Sequence, residues 1–216
     1  ASPAGAPRSG MPTGVRWGIR IGVVVIAFLA MALGTKVVPS DDALAQGAVV
    51  FDPQTFGAEN FPVIQEGVAD RAIEAAELAD ATAADPDAAA QEYGVPSSAG
   101  PVFSVTFTGV AGEGASGIYP VTIEGLPEDL LVRVQTGPAI NGTVLRDATG
   151  EIVFGQFKNQ IEFQNAAAAL NDELKIEVLD AIDAANLQGK TITVTGAFTL
   201  VNPAAWLVTP TELEVQ

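Results

Sequence analysis

The chain has 216 residues, 48% of them apolar, enough to bury one good core with length left for tails or a small second layer. Charge is uneven: residues 1–40 hold Arg8, Arg16, Arg20 and Lys36 and no acid, a net of +4, while the remainder holds 26 acids against 6 bases, a net of −20, giving the formal −16. A body of that sign repels phosphate backbones, which argues against nucleic acid as a partner, and the lack of Cys and His removes disulfides, thiolate nucleophiles, the usual neutral-pH base and the commonest metal ligand.

The first twenty residues are small, Pro/Gly-rich and basic, and are expected to form a disordered cytoplasmic tail. Ile21 to Thr35 is an uncharged apolar run between Arg20 and Lys36, and snorkelling of those two side chains extends it towards the roughly 20 residues of a membrane span. The expectation is a single-pass signal anchor over 21–38, in contact with the lipid bilayer. The arginines before it put the N-terminus inside and the rest of the chain in the periplasm or outside the cell. Two alternatives stay open: cleavage after Ala43-Leu44-Ala45, and a buried core helix.

Residues 39–94 read as a loop followed by a helical neck. Phe51, Phe56 and Phe61 are spaced five apart, which fits neither helix nor strand, and are expected to be pegs on the domain surface. Pro62 marks a helix start with Asn60 as cap, and Ile64, Val68, Ala72, Ala75 and Ala79 form an apolar stripe. That stripe is expected to pack on the chain's own β domain, with a partner helix as the alternative. Asp85-Pro86 restarts the helix and Gly94 ends it.

Residues 95–216 change to period two. Phe103, Val105 and Phe107 alternate with Ser104, Thr106 and Thr108; four glycines in 109–117 close a hairpin; Tyr119, Val121 and Ile123, then Leu130, Val132 and Val134, continue the pattern. A helix is expected from about Asn171 to Asp183, then strands carrying Ile192, Val194, Phe198 and Leu200 and, last, Leu213 and Val215. The fold class is mainly β (α+β). Three strands, a helical excursion and two strands is the order of an OB-like five-stranded antiparallel barrel, with an open sheet as the alternative.

Between the third strand and that helix lies the densest gathering of hydrogen-bonding side chains. Arg146 and Asp147 stand together in apolar company, followed by Gln156, Asn159, Gln160, Gln164, Asn165 and Asn171 among Phe154, Phe157 and Phe163. Two readings of Arg146, Asp147, Asn159 and Gln160 stay open. They could line a site for a polyhydroxylated ligand, with Phe157 or Trp206 as stacking face. Alternatively, Arg146 is a buried structural guanidinium, Asp147 holds the Asp-Ala-Thr-Gly turn, and the amides cap a helix. No Gly-rich phosphate loop, EF-hand or metal-ligand cluster is present, so neither cofactor nor metal is expected. The Asn141-Gly142-Thr143 sequon matters only where secreted proteins are glycosylated.

TKVVP after the apolar run, GPAINGT, LRDATG, the segment from Phe154 to Phe163 and GAFTLVNP occur together in this order. In these motifs the chain resembles the uncharacterised family of predicted periplasmic lipoproteins that bacteria often encode beside sugar ABC transporter genes. The resemblance runs from Lys36 onward and implies a location and a neighbourhood, not an activity. The family's recurrent Arg-Asp and Asn-Gln positions correspond to Arg146, Asp147, Asn159 and Gln160, without a role to carry over. With no Cys for lipid attachment, a transmembrane anchor is expected to take its place. The expected function is a non-enzymatic, membrane-anchored extracytoplasmic accessory or binding protein contacting sugar ABC transporter components or a sugar. The alternatives are an assembly factor docking a membrane partner, and a glycoside hydrolase using Asp147 with Glu151 or Glu162.

Overall fold

The computed structural model describes residues 50–216, of which Phe51–Gln216 form one compact unit. The basic tail, the apolar run at 21–38, the Ala43-Leu44-Ala45 motif and the first part of the 39–94 segment lie outside the described residues. Among the described residues no helix is long and apolar enough to cross a membrane.

Helix α1 spans Pro53–Arg71. It starts seven residues before the expected loop ends, because Asp52-Pro53 supplies the same signal as the later proline. The Asp52 side chain accepts from the Thr55 N–H at 2.7 Å, and Pro53 occupies the first turn, where no N–H is needed. Pro62 therefore lies inside the helix, and Asn60 is not its cap: the Asn60 amide donates to the Phe56 carbonyl at 2.8 Å. Gly57, Phe61, Ile64 and Val68 form the buried face. Burying side chains of this size contributes about 1.5–3 kcal/mol each, which offsets the bond that a proline in the interior removes. Phe61 is thus core, not a surface peg, whereas Phe51 and Phe56 pack edge-on against Phe157.

The expected stripe breaks at Ala72. Ile73–Glu74 is a two-residue strand, β1, parallel to β2 through Ile73↔Val105, and too short to show a period in the sequence. Helices α2 (Ala75–Ala84) and α3 (Pro86–Tyr93) follow, with the Asp85 carboxylate accepting from the Asp87 and Ala88 N–H groups at the junction. Ala75, Leu78 and Ala79 are buried in the core shared with the strands, and α1 packs on the sheet.

The barrel strands are β2 (Val102–Ala111), β3 (Ile118–Thr122), β4 (Leu131–Gln135), β5 (Thr191–Thr199) and β6 (Ala205–Val215). Neighbours run β2–β3–β4–β6–β5, and β5 pairs back onto β2 from Val102↔Thr199 to Val110↔Thr191, so the sheet closes. This is the five-stranded OB order with helices, and the open-sheet alternative is excluded. The barrel is not wholly antiparallel: β4 and β6 run parallel, from Leu131↔Ala205 to Val134↔Val208. β4 and β6 are not consecutive, since the helical excursion and β5 lie between them in the chain, so no hairpin turn dictates an antiparallel direction for the pair.

The interior is aromatic and aliphatic. Phe103, Phe198 and Trp206 stack in series, with ring centroids 5.8 Å and 4.6 Å apart, among Val105, Val132 and Val208. Close crossing of β5 and β6 at the Thr195/Gly196 bulge requires Gly196, since a Cβ there would stand 2.5 Å from the Thr209 carbonyl oxygen.

Between β4 and β5 lie a short helix α4 (Val144–Asp147), a 3₁₀ turn at Phe154–Gln156, and helix α5 (Gln160–Leu174), which runs on as a π-helical turn over Lys175–Leu179. The helix starts eleven residues before the expected cap at Asn171. Asn159 is the true cap, accepting from the Glu162 N–H at 2.9 Å, and Ala166–Ala169 supply high helix propensity behind it. Gly57 lets α1 approach α5: a Cβ there would lie 2.8 Å from the Ala169 carbonyl oxygen and 3.0 Å from Glu173 Cγ.

Candidate functional site

Arg146 and Asp147 sit on α4, which the loop after β4 presses against α5. The guanidinium grips its neighbour through two bonds, Nε to Oδ1 at 2.8 Å and Nη2 to Oδ2 at 3.1 Å. Its third contact is Nη1 to the Phe163 carbonyl at 3.3 Å, and Cζ lies 3.6 Å over the centre of the Phe163 ring. Asp147 Oδ2 also accepts from Thr143 Oγ1 at 2.8 Å. Arg146 is 5% exposed. The arrangement fastens α4 to the first turn of α5 through charge-assisted bonds and a cation–π contact.

Asn159 and Gln160 begin that same turn. The Asn159 side chain caps it, and its carbonyl accepts from the Phe163 N–H at 3.2 Å, so Arg146 and Asn159 meet on opposite sides of Phe163. Gln160 is exposed at the helix start. The four residues are therefore neighbours through one helical turn. Arg146 and Asp147 point into a closed network, while the two amides lie at its solvent edge. Of the carboxylates considered with Asp147, Glu151 is exposed, and Glu162 Oε2 accepts the Lys158 N–H at 2.9 Å.

A second polar network holds the loop between β4 and α4. Gln135, at the end of β4, donates through Nε2 to Thr209 Oγ1 on β6, and its Oε1 accepts from the Asn141 N–H at 3.4 Å. Asn171 of α5 donates to the Gly142 carbonyl at 3.0 Å. These buried amides are satisfied within the fold and fix the GPAINGT loop against barrel and helix.

Open space lies elsewhere. Where the β2–β3 hairpin loop meets the π-helical turn and the chain leading to β5, a cavity of about 640 Å³ is lined by Ser116, Tyr119, Thr136, Lys175, Asp180 and Asp183 among others. Ser116 and Gly117 both have positive φ (54° and 75°), and Ala115 and Ile118 exchange both backbone bonds around them, which makes this a tight hairpin tip. The Tyr119 hydroxyl donates to the Ala185 carbonyl at 2.6 Å, and Thr136 Oγ1 donates to the Ala184 carbonyl at 3.3 Å. Those bonds tie the outer wall to the barrel, so the cavity is preformed. None of its polar lining residues was singled out from the sequence as a site residue; Tyr119 and Asp183 stand there only as part of a strand and the end of a helix. The lining residues come from three distant segments, and only the turn chemistry around Gly117 gave a local signal.

The chain matches the family described as predicted periplasmic lipoprotein (DUF2291) over residues 24–214. It belongs to that family. Membership sets the protein among extracytoplasmic, membrane-associated proteins of unknown function. No cysteine occurs in the 216 residues, so the thiol to which a lipid would be joined is not among them. The chain is also similar to a solved structure, an OB-fold protein from Thermotoga maritima MSB8, with a TM-score of 0.63 at 21% identity. The match covers 77% of this chain and 99% of that one, and it agrees with the strand order in assigning an OB barrel. Among curated proteins none matches.

Proposed function

We propose that this family member is a membrane-anchored, non-enzymatic binding or accessory module of a sugar import system, taking a small polyhydroxylated ligand in the cavity beside the β2–β3 hairpin. The observation that carries the reading is that cavity's place: an OB barrel offers its first hairpin loop to ligands, and here that loop forms one wall of an open space of about 640 Å³. This is an argument from fold. Chemistry supports it, because backbone groups of a glycine-rich tip, a serine and carboxylates suit hydroxyl donors and acceptors. The apolar run at 21–35 supports anchoring by a single span with the barrel outside the cytoplasm, and the sugar-transporter neighbourhood comes from the family resemblance. The Arg146–Asp147 clamp is read as the scaffold of the α4–α5 wall, with Asn159 and Gln160 on its rim.

The test is thermal denaturation of the full chain in detergent against pentoses, hexoses and polyols, with ligand raising apparent stability as RT ln(1 + [L]/Kd). A shift with one sugar class, lost on Ser116→Trp, supports the reading; no shift with any of them, and no co-purification with a permease, refutes it. A second reading, partner docking, is favoured by a specific surface: Val153, Phe154 and Ile161 are exposed apolar residues beside the clamp. Under that reading, Phe154→Ser removes permease association and leaves the sugar-induced shift unchanged.

A further inference from the structure

A second cavity, of about 610 Å³, opens between the start of α1 and the C-terminal half of α5. Gln54, Asn165, Asp172, Glu173, Lys175 and Asp180 supply its polar lining. Glu173 is the unusual member. It is only 9% exposed, its stem runs against Gly57, and its carboxylate has neither a hydrogen-bond donor nor an ion-pair partner among the described residues. The rest of the residue is enclosed, so its unpaired carboxylate oxygens meet solvent only through the cavity, where a bound cation would complete them. The only cation in the lining, Lys175, is 3.8 Å from Asp172 on the solvent side. The lining thus sets three carboxylates against one ammonium.

We infer that this cavity binds a small organic cation with a primary ammonium group, held by Glu173 and by the amide oxygens of Gln54 and Asn165. The charge balance excludes anions. A neutral polyol leaves the Glu173 charge uncompensated. A quaternary ammonium is a poorer fit, since no aromatic ring lines the cavity and such a cation has no N–H to donate. A metal ion is a poorer fit too, because the three carboxylates of the lining are not close enough together to hold one, and no other such group among the described residues is. The π-helical turn at Lys175–Leu179 shapes the wall: it widens the helix so that the Asp180 N–H bonds the Lys175 carbonyl at 2.8 Å, and both residues face this cavity and the hairpin cavity. This site stands independently of the sugar reading, which concerns the other cavity and a neutral ligand.

The experiment is isothermal titration of the full chain with 1,4-diaminobutane, against tetramethylammonium and xylitol, at 0.15 M salt. Saturable binding of the diamine, at least tenfold tighter than tetramethylammonium and weakened at least tenfold by Glu173→Gln, supports the site. The exposed variants Gln54→Leu and Asn165→Leu do not touch the core, and each is expected to weaken binding several-fold, so a misfolded Glu173→Gln would not end the test. Absence of binding by the wild type overturns the inference. Equal binding by wild type and Glu173→Gln also overturns it, since the diamine would then be held by the acidic surface alone. Xylitol acts only as a readout of the hairpin cavity, and its binding or failure to bind bears on the sugar reading alone.

Discussion

Asp147→Ala separates a structural clamp from a ligand site. In the folded chain the Asp147 carboxylate accepts two bonds from Arg146 and one from Thr143, with the two charged side chains 6% and 12% exposed. Removing it leaves a buried guanidinium with one weak bond to the Phe163 carbonyl and its contact with the ring. Breaking a buried pair from one side costs about 3–5 kcal/mol, and the partial exposure of Asp147 puts the expected value near ~3 kcal/mol. For a domain of this size that corresponds to roughly 6–12 °C in Tm. Arg146→Met costs less, because the carboxylate left behind keeps Thr143 and can draw in water, and the double variant is expected to recover at least ~1 kcal/mol relative to Asp147→Ala. Urea denaturation of the four chains closes the cycle. An Asp147→Ala loss below about 1 kcal/mol, or strict additivity in the double variant, would refute the clamp, since neither fits a desolvated bidentate pair.

Three further outcomes are expected. Gly117→Ala should destabilise by at least about 2 kcal/mol, because φ is +75° and the new Cβ would collide with the Gly137 carbonyl oxygen; urea unfolding measures it, and a near-neutral result would mean that the hairpin tip does not lie against Gly137. Trp206→Ala should cost about 4 kcal/mol, whereas Trp206→Phe should cost no more than about 2 kcal/mol, because the buried indole N–H has no acceptor among the described residues and its loss offsets part of the lost volume. The N–H groups of the first turn of α1 hold the Asp52 carboxyl below the ordinary aspartate value of 3.8. Its contribution is therefore present above that value and lost as pH falls through the lowered folded pKa. Amide exchange in the first turn of α1 should accelerate over that acid window in the wild type, and Asp52→Asn should abolish the acceleration while keeping the cap.

The barrel was largely legible because a strand with one buried face writes its period into the chain. Phe103, Val105 and Phe107 face the core, and Ser104 is buried as well on a strand against which α1, α2 and α3 also pack. The helices were less legible where one signal occurs twice. Asp52-Pro53 and Asn60-x-Pro62 both satisfy the rule for a helix start, and only the burial of Gly57 and Phe61 shows that the first operates. The amide-rich stretch drew attention by composition, yet its members have separate tasks: Asn159 caps, Asn171 pins a loop, and Asn165 faces a cavity. The cavities themselves were not legible. Gln54 and Glu173, or Ser116 and Asp180, are brought together by helix crossing and barrel closure, which no local spacing encodes.

Helix α5 joins these features and makes their coupling testable. Its first turn carries the Arg146 clamp through the Phe163 carbonyl, its middle receives Gly57 of α1 at Ala169, and its π-helical end supplies Lys175 and Asp180 to both cavities. A perturbation at Gly57 must therefore reach the far end. Gly57→Ala forces apart two backbones already at contact, which costs about 1–3 kcal/mol for overpacking, and the easiest relief is a slide of α5 along α1 that moves Glu173. Diamine binding is then expected to weaken more than the stability loss alone accounts for, while sugar binding at the hairpin cavity, held to the barrel by Tyr119 and Thr136, changes little. Equal weakening of both would mean that α5 and the barrel wall move as one body, and that the two cavities respond as a single site.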